Sequence, residues 1–132
     1  MKVHHIGYLI EEIKESINGF IELGYVIEKD IIFDNYRNIY IAFLSNNGYC
    51  VELIQPTDEV PGLKKMLRKT GNTPYHICYE TTDIQQSISN RQQKGYIVIQ
   101  QQAIAPAIEN MKVAFLMNVN IGIIELLEIK EG

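Results

Sequence analysis

Apolar positions along this chain switch between two periods. Val3 to Ile10 is β-rich and reads as a strand. From Glu11 to Leu23 the period becomes helical, with Ile13, Ile17, Phe20 and Ile21 on one face and Gly24 as the stop. Tyr25 to Phe33, Asn38 to Leu44 and Tyr49 to Ile54 read as three strands, the last two joined by a turn at Asn46-Asn47-Gly48. The same order then returns. Tyr75 to Thr81 predicts a strand, Asp83 to Lys94 a helix stopped by Gly95, and Tyr96 to Gln101, Met111 to Met117 and Gly122 to Ile129 three further strands. Between the two sets, Pro61 to Lys69 predicts a short helix with Pro61 in its first turn, closed off by Gly71 and Pro74. Gln102 to Asn110, containing Pro106, reads as a loop.

This order is an internal repeat. His5-Ile6-Gly7-Tyr8 matches His76-Ile77-Cys78-Tyr79, and Gly24-Tyr25 matches Gly95-Tyr96, both at an offset of 71. Ile41-Ala42-Phe43-Leu44 matches Val113-Ala114-Phe115-Leu116 at 72, and Val51-Glu52-Leu53-Ile54 matches Ile124-Glu125-Leu126-Leu127 at 73. Four matches in one order, with the offset drifting by two residues, make the chain two copies of one β-α-β-β-β unit. The expected division is a first module over 1–55, a linker over 56–73 and a second module over 74–132.

Composition narrows the setting. The 132 residues suit one compact domain or two very small ones, and 46% hydrophobic with 21% charged residues excludes general disorder. Lys+Arg 12 against Asp+Glu 16 gives a net charge of -4, without the basic excess expected of a nucleic-acid binder. No apolar run is long enough for a membrane helix, and Met1-Lys2-Val3-His4-His5 lacks the apolar stretch of a signal peptide. Cys50 and Cys78 are too few for a disulfide framework or a CxxC zinc site. The expectation is a reduced, cytoplasmic protein with neither a nucleic-acid nor a membrane partner.

Four polar residues stand out on the apolar strands. His5 and His76 share one place in the repeat, on the first strand of each copy; Glu52 and Glu125 share another, on the last. A carboxylate inside such a strand must face water or have a strong buried partner. Two histidines and two carboxylates related by a pseudo-twofold axis suit a divalent metal such as zinc, nickel, cobalt, manganese or iron. The alternative is four solvent-facing residues of half-exposed sheets, a reading that a matched set of four makes less economical.

The whole chain resembles the vicinal oxygen chelate superfamily, which includes glyoxalase I, methylmalonyl-CoA epimerase, extradiol dioxygenases and bleomycin-resistance proteins. The resemblance rests on His5-Ile6-Gly7, Glu52-Leu53-Ile54-Gln55-Pro56, Tyr75-His76-Ile77-Cys78-Tyr79-Glu80 and Gly122-Ile123-Ile124-Glu125-Leu126. It implies an α+β fold in which two tandem βαβββ modules form an open eight-stranded barrel-like sheet around a metal site. Carried over by position, it implies the metal ligands His5, Glu52, His76 and Glu125. Leu67-Arg68-Lys69-Thr70-Gly71 and Glu52-Leu53-Ile54 look most similar to the methylmalonyl-CoA epimerase branch. Two stretches depart from that branch. Ala105-Pro106-Ala107-Ile108-Glu109-Asn110 stands where a Gly-Ala-His-Gly type loop is usual, and Met117-Asn118-Val119-Asn120 where His-Pro-Lys is usual.

The function implied is removal of a proton α to a carbonyl, assisted by a divalent metal, in an isomerase, epimerase or lyase. Glu125 is the expected base, with Glu52 its counterpart for returning the proton on the other face. Glyoxalase I activity on a thiohemiacetal is the first alternative to epimerisation of an acyl-CoA, and small-molecule binding of the bleomycin-resistance kind is the second. A homodimer is expected. Strand alternation places Gly7 on the face of His5, Cys50 and Ile54 on that of Glu52, and Cys78 and Glu80 on that of His76. The cysteines read as small pocket-lining residues, His4 as a surface or packing histidine, and Tyr8, Tyr25, Tyr79 and Tyr96 as packing between sheet and helix. Lys64, Lys65, Arg68 and Lys69 read as a solvated helix face, with the phosphates of a CoA-like ligand as the alternative.

Overall fold

The computed structural model describes residues 1–130. Its fold is α+β, built from two βαβββ modules. The first holds β1 (Val3–Leu9), α1 (Ile13–Glu22), β2 (Val26–Asp34), β3 (Ile39–Asn46) and β4 (Tyr49–Pro56). A connecting helix α2 (Pro61–Thr70) leads to the second, with β5 (Thr73–Thr81), α3 (Ile84–Gln93), β6 (Ile97–Ala105), β7 (Met111–Asn118) and β8 (Gly122–Glu128). Two compact units result. One runs from His5 to Tyr75; the other takes the residues from His76 on, together with Met1–His4.

Within the first unit β1 runs parallel to β4, and β4 and β2 both pair antiparallel with β3. Within the second, β5 runs parallel to β8, and β8 and β6 both pair antiparallel with β7. The parallel pair comes from the helix crossover between the first two strands, and the antiparallel pairs from short turns. Asn47-Gly48 is such a turn: Asn46 pairs with Tyr49, and φ is 50° at Asn47 and 85° at Gly48. Two left-handed residues in a two-residue loop are what a type I′ hairpin requires, and Asn-Gly is the sequence that adopts it most readily.

Each helix covers one face of its own sheet. Ile13 and Ile17 of α1 pack on Ala42, Leu44, Val51 and Leu53, with Tyr8, Phe20 and Tyr25 closing the edge. Ile84 and Ile88 of α3 pack on Ala114, Leu116, Ile124 and Leu126, with Tyr79, Tyr96 and Val98 beside them. The four repeat-related tyrosines are therefore packing residues; Phe20 meets Tyr8 and Tyr25 edge to face at 5.3 and 5.1 Å. Ile21, expected on the buried face of α1, is 44% exposed. It lies toward the flank of the stripe formed by Ile13, Ile17 and Phe20, at the edge of the face that meets the sheet.

Two further differences concern edges. β6 continues through Gln102 and Ala103 to Ala105 and is followed by a 3-10 turn at Pro106–Ile108, where a loop was expected. The polar run Gln100-Gln101-Gln102 conceals the strand because β6 pairs on one side only within its unit and is largely exposed. β2, at Val26–Asp34, is displaced by one residue from the expected Tyr25 to Phe33, and the two strands are irregular at equivalent places. Register shifts fall between Ile27, Lys29 and Ile32, and between Val98, Gln100 and Ala103.

Candidate metal centre

The face of each sheet away from its helix carries the polar residues. On β4, Val51 and Leu53 enter the core under α1, so Glu52 and Ile54 point to the other side. Gly7 pairs with Glu52 across the parallel ladder, and alternation puts His5 on the same face. On β8, Ile124 and Leu126 enter the core under α3, which leaves Glu125 and Leu127 on the far side. Cys78 pairs with Glu125, and His76 lies one alternate position before it.

Each unit thus brings one histidine to one glutamate. His5 Nε2 lies 3.1 Å from Glu52 Oε1, and His76 Nε2 lies 3.1 Å from Glu125 Oε1. None of the four is at the surface: relative exposures are 1% for His5, 4% for Glu52, 3% for His76 and 3% for Glu125. These residues are not the solvent-facing side of a half-exposed sheet. The phenylalanines next to them complete the match. Phe43 pairs with Glu52 in register and sets its ring edge-on to His5 at 5.3 Å and 82°. Phe115 does the same to Glu125 and His76, at 5.3 Å and 86°. Each ring packs edge-on against an imidazole that has one nitrogen toward a carboxylate. Neither phenylalanine was singled out as a site residue, although Phe43 and Phe115 stand in the Ala-Phe-Leu match that revealed the repeat.

The donor chemistry fits a divalent ion. Neutral imidazole nitrogen and carboxylate oxygen are ordinary ligands of first-row metals. Two ligands at right angles on an ion with bonds of about 2.1 Å stand about 3.0 Å apart, close to the 3.1 Å between nitrogen and oxygen in each pair.

The surroundings of the pairs are not identical. Gly7 faces Glu52 where Cys78 faces Glu125, and buried Leu9 stands where Glu80 stands in the other module. Cys50, two residues before Glu52, is half-buried, and burial pushes its thiol above the ordinary range, although His5 opposes the shift. Cys78 is fully buried, and neither cysteine forms a disulfide. Such a thiol at Cys50 is a poor nucleophile at neutral pH, in keeping with a lining residue. His4 is half-buried on the opposite face of β1 from His5.

Other polar positions proved structural. Asp34, which nothing in the sequence singled out, is buried at the end of β2 and accepts from the backbone N–H of Tyr36 and Arg37 and from the Arg37 guanidinium at 2.9 Å. Gln55 Oε1 accepts from the Ile13 N–H at 2.8 Å, and Glu128 Oε2 from the Ile84 N–H at 3.0 Å. The last strand of each module thereby supplies an acceptor to the first N–H of its helix, which has no partner within the helix.

A family model described as the Glyoxalase/Bleomycin resistance protein/Dioxygenase superfamily matches residues 4–115. The chain belongs to that superfamily. The matched stretch contains His5, Glu52 and His76 and stops short of Glu125. No curated protein matches the sequence. Among solved structures, a hypothetical protein from Bacillus halodurans C-125 is 25% identical with a TM-score of 0.84, over 99% of this chain and 96% of that one. The methylmalonyl-CoA epimerase of Mycobacterium tuberculosis is 18% identical with a TM-score of 0.82, over 98% and 88%. A variant methylmalonyl-CoA epimerase of Streptomyces coelicolor, in complex with 2-nitronate-propionyl-CoA, is 19% identical with a TM-score of 0.81, over 97% and 96%. At these identities the epimerases share the superfamily fold with this chain.

Proposed function

We propose that the protein is a divalent-metal-dependent epimerase or isomerase of the glyoxalase superfamily that removes a proton α to a carbonyl, with an acyl-CoA as its substrate class. The observation that carries this reading is the duplication of one buried His–Glu pair, at 3.1 Å in both modules. A purely structural pair would have to offset the desolvation of its groups twice, in two places, with the same geometry. In this reading His5, Glu52, His76 and Glu125 together hold one ion, and the two carboxylates balance its charge. Zinc, nickel, cobalt, manganese and iron all suit the donor set. Such an ion, when bound, supplies Lewis-acid stabilisation of the negative charge that grows on a carbonyl oxygen as the α-proton leaves.

The protein's own part is to position the carbon and to move the proton. Glu125 accepts the α-proton through a carboxylate oxygen. Glu52, its counterpart in the repeat, serves the opposite face of the same carbon. Epimerisation requires loss of the proton on one side and its return on the other, and two carboxylates of common origin suit that demand. Phe43 and Phe115 pack edge-on against the imidazoles. The epimerase complexes of like fold support an acyl-CoA substrate, since a nitronate carries its charge as the enolate of a thioester does.

The test combines metal analysis with exchange. The purified protein should hold one divalent ion per chain, and the loaded form should wash deuterium from heavy water into the α-position of methylmalonyl-CoA. Isomerisation of methylglyoxal with glutathione, without exchange into the acyl-CoA, would move the assignment to glyoxalase I. A loaded protein that catalyses neither reaction sinks the enzyme reading and leaves a metal- or ligand-binding protein.

A further inference from the structure

Four of the 12 Lys and Arg residues lie on α2, a helix of 10 residues that carries no acidic side chain, in a chain whose net charge is -4. Lys64, Lys65, Arg68 and Lys69 fall on one side of it. The other side is anchored: Leu67 is buried, and Leu63 and Met66 are half-buried. Lys64 is engaged with Asp58 at 3.6 Å. Lys65, Arg68 and Lys69 are exposed and have no acidic partner among the described residues.

The helix is also tied down at both ends. Thr57, just past β4, donates its N–H to the Asn38 carbonyl at 3.2 Å, and Val60 donates back to Thr57 at 3.1 Å. Past the other end, Asn72 Oδ1 accepts from the Glu11 N–H at 3.0 Å, just beyond β1. Because β1 and β4 are parallel, both ties lie at their carboxyl ends. α2 is therefore a fixed cationic surface, four strand residues beyond His5 and Glu52, a run of about 13 Å along β1 and β4. In a protein of net charge -4, the three cations concentrate positive charge on one rigid face of the unit that holds His5 and Glu52.

We propose that Lys65, Arg68 and Lys69 form the phosphate-binding subsite for an acyl-CoA: the cations hold the phosphates, and the long pantetheine arm carries the thioester to the His5–Glu52 pair of the same unit. This rests on the proposed function for its choice of thioester. The cation surface itself calls only for a ligand with several phosphate oxygens.

Calorimetric titration of the metal-loaded protein with CoA and with pantetheine, which has the arm without the phosphates, tests it. CoA should bind at least about tenfold more tightly at low salt, the scale of three exposed charge pairs acting together. That advantage should shrink as salt rises. The triple variant Lys65→Gln/Arg68→Gln/Lys69→Gln should lose the advantage while its pantetheine affinity and metal content stay as in the wild type. Lys65→Arg/Lys69→Arg should keep it. Equal affinity for CoA and pantetheine, or CoA binding unchanged in the triple variant, overturns the subsite. So does binding to phosphatidylserine vesicles with no preference for CoA, which would make α2 a membrane contact. The metal-dependent reading fails separately, through absent metal or absent exchange in the wild type, and a CoA advantage lost only in the triple variant upholds the subsite even then.

Discussion

The two modules solve the same packing problem with different residues, and the comparison separates what the fold needs from what the site needs. Their helices have diverged. α1 presents Ile13, Ile17 and Phe20 to its sheet, whereas α3, with the sequence Ile-Gln-Gln-Ser-Ile-Ser-Asn-Arg-Gln-Gln, buries Ile84, Ser87 and Ile88 and is otherwise polar. Their hairpin ends have diverged as well: Asp34 and Arg37 form a paired turn in one, and a 3-10 turn closes the other. Yet His, Glu and Phe recur at equivalent places, with the same 3.1 Å and 5.3 Å separations. Apolar core positions tolerate exchange among side chains of similar volume. A buried histidine facing a buried carboxylate has no such substitutes, because any single replacement strands its partner.

The sharpest way to break the comparison is to remove one histidine at a time. If the two pairs serve one ion, His5→Ala and His76→Ala should each abolish metal uptake and turnover, although they lie in different modules. Loss of more than about 10-fold in affinity is the usual scale even for the groups that merely support a ligand, and a ligand itself should exceed it. Metal analysis with two ions per wild-type chain, one surviving in each variant, would instead make the modules independent sites.

The glutamates should differ in kind. Glu125→Gln, assayed at saturating metal, is expected to lower epimerisation by on the order of 10²-fold or more, the effect of deleting a positioned base. Deuterium exchange resolves the roles further. With Glu125 disabled, wash-in should persist for the epimer whose α-proton faces Glu52, and Glu52→Gln should give the opposite selectivity. Both variants losing exchange from both epimers equally would mean that the carboxylates act only as ligands.

The repeat was legible because its marks fall on strands with little freedom to drift. His5, Glu52, His76 and Glu125 were visible as polar interruptions of apolar runs, and a one-residue slip would have moved each to the wrong face. What escaped lies where tertiary contacts outweigh local pattern. The end of β6 is held by pairing with Met111 to Val113 through side chains that look like a loop. The burial of Asp34 depends on an arginine three residues later and on a turn that only its backbone reveals. The helix acceptors Gln55 and Glu128 lie 42 and 44 residues from the N–H groups they serve, beyond the reach of any capping motif. The cationic side of α2 was visible as composition; its fixed position and its lack of partners were not.

The cores offer a third contrast, expected to vanish. Leu53 and Leu126 occupy equivalent places under α1 and α3, and both are fully buried. Truncation to alanine should cost about 2–5 kcal/mol in either case. Urea denaturation of the two variants should give midpoints lowered by similar amounts. A much smaller loss for Leu126→Ala would show that the polar α3 lets its core collapse around the cavity, and that the second module is the looser of the two.

The smallest effect expected lies at the helix starts. Asp83 caps α3, accepting from the Gln86 N–H at 3.0 Å, whereas Glu12 at the same place before α1 makes no side-chain bond. The cap position favours a short acceptor that can turn back onto the first turn, and glutamate is one methylene too long for that geometry. Asp83→Ala should therefore cost about 1 kcal/mol, and Glu12→Ala a few tenths at most, from its charge near the helix N-terminus. Glu12→Asp gives the converse. If the first module lacks only the short side chain, the substitution should gain up to about 1 kcal/mol and narrow the difference between the two helices. Should Glu12→Asp leave thermal stability unchanged, a short side chain is not what the first helix start lacks, since Gln55 and Glu128 serve the first N–H of both helices alike, and the cap on α3 reflects the weaker apolar face of that helix.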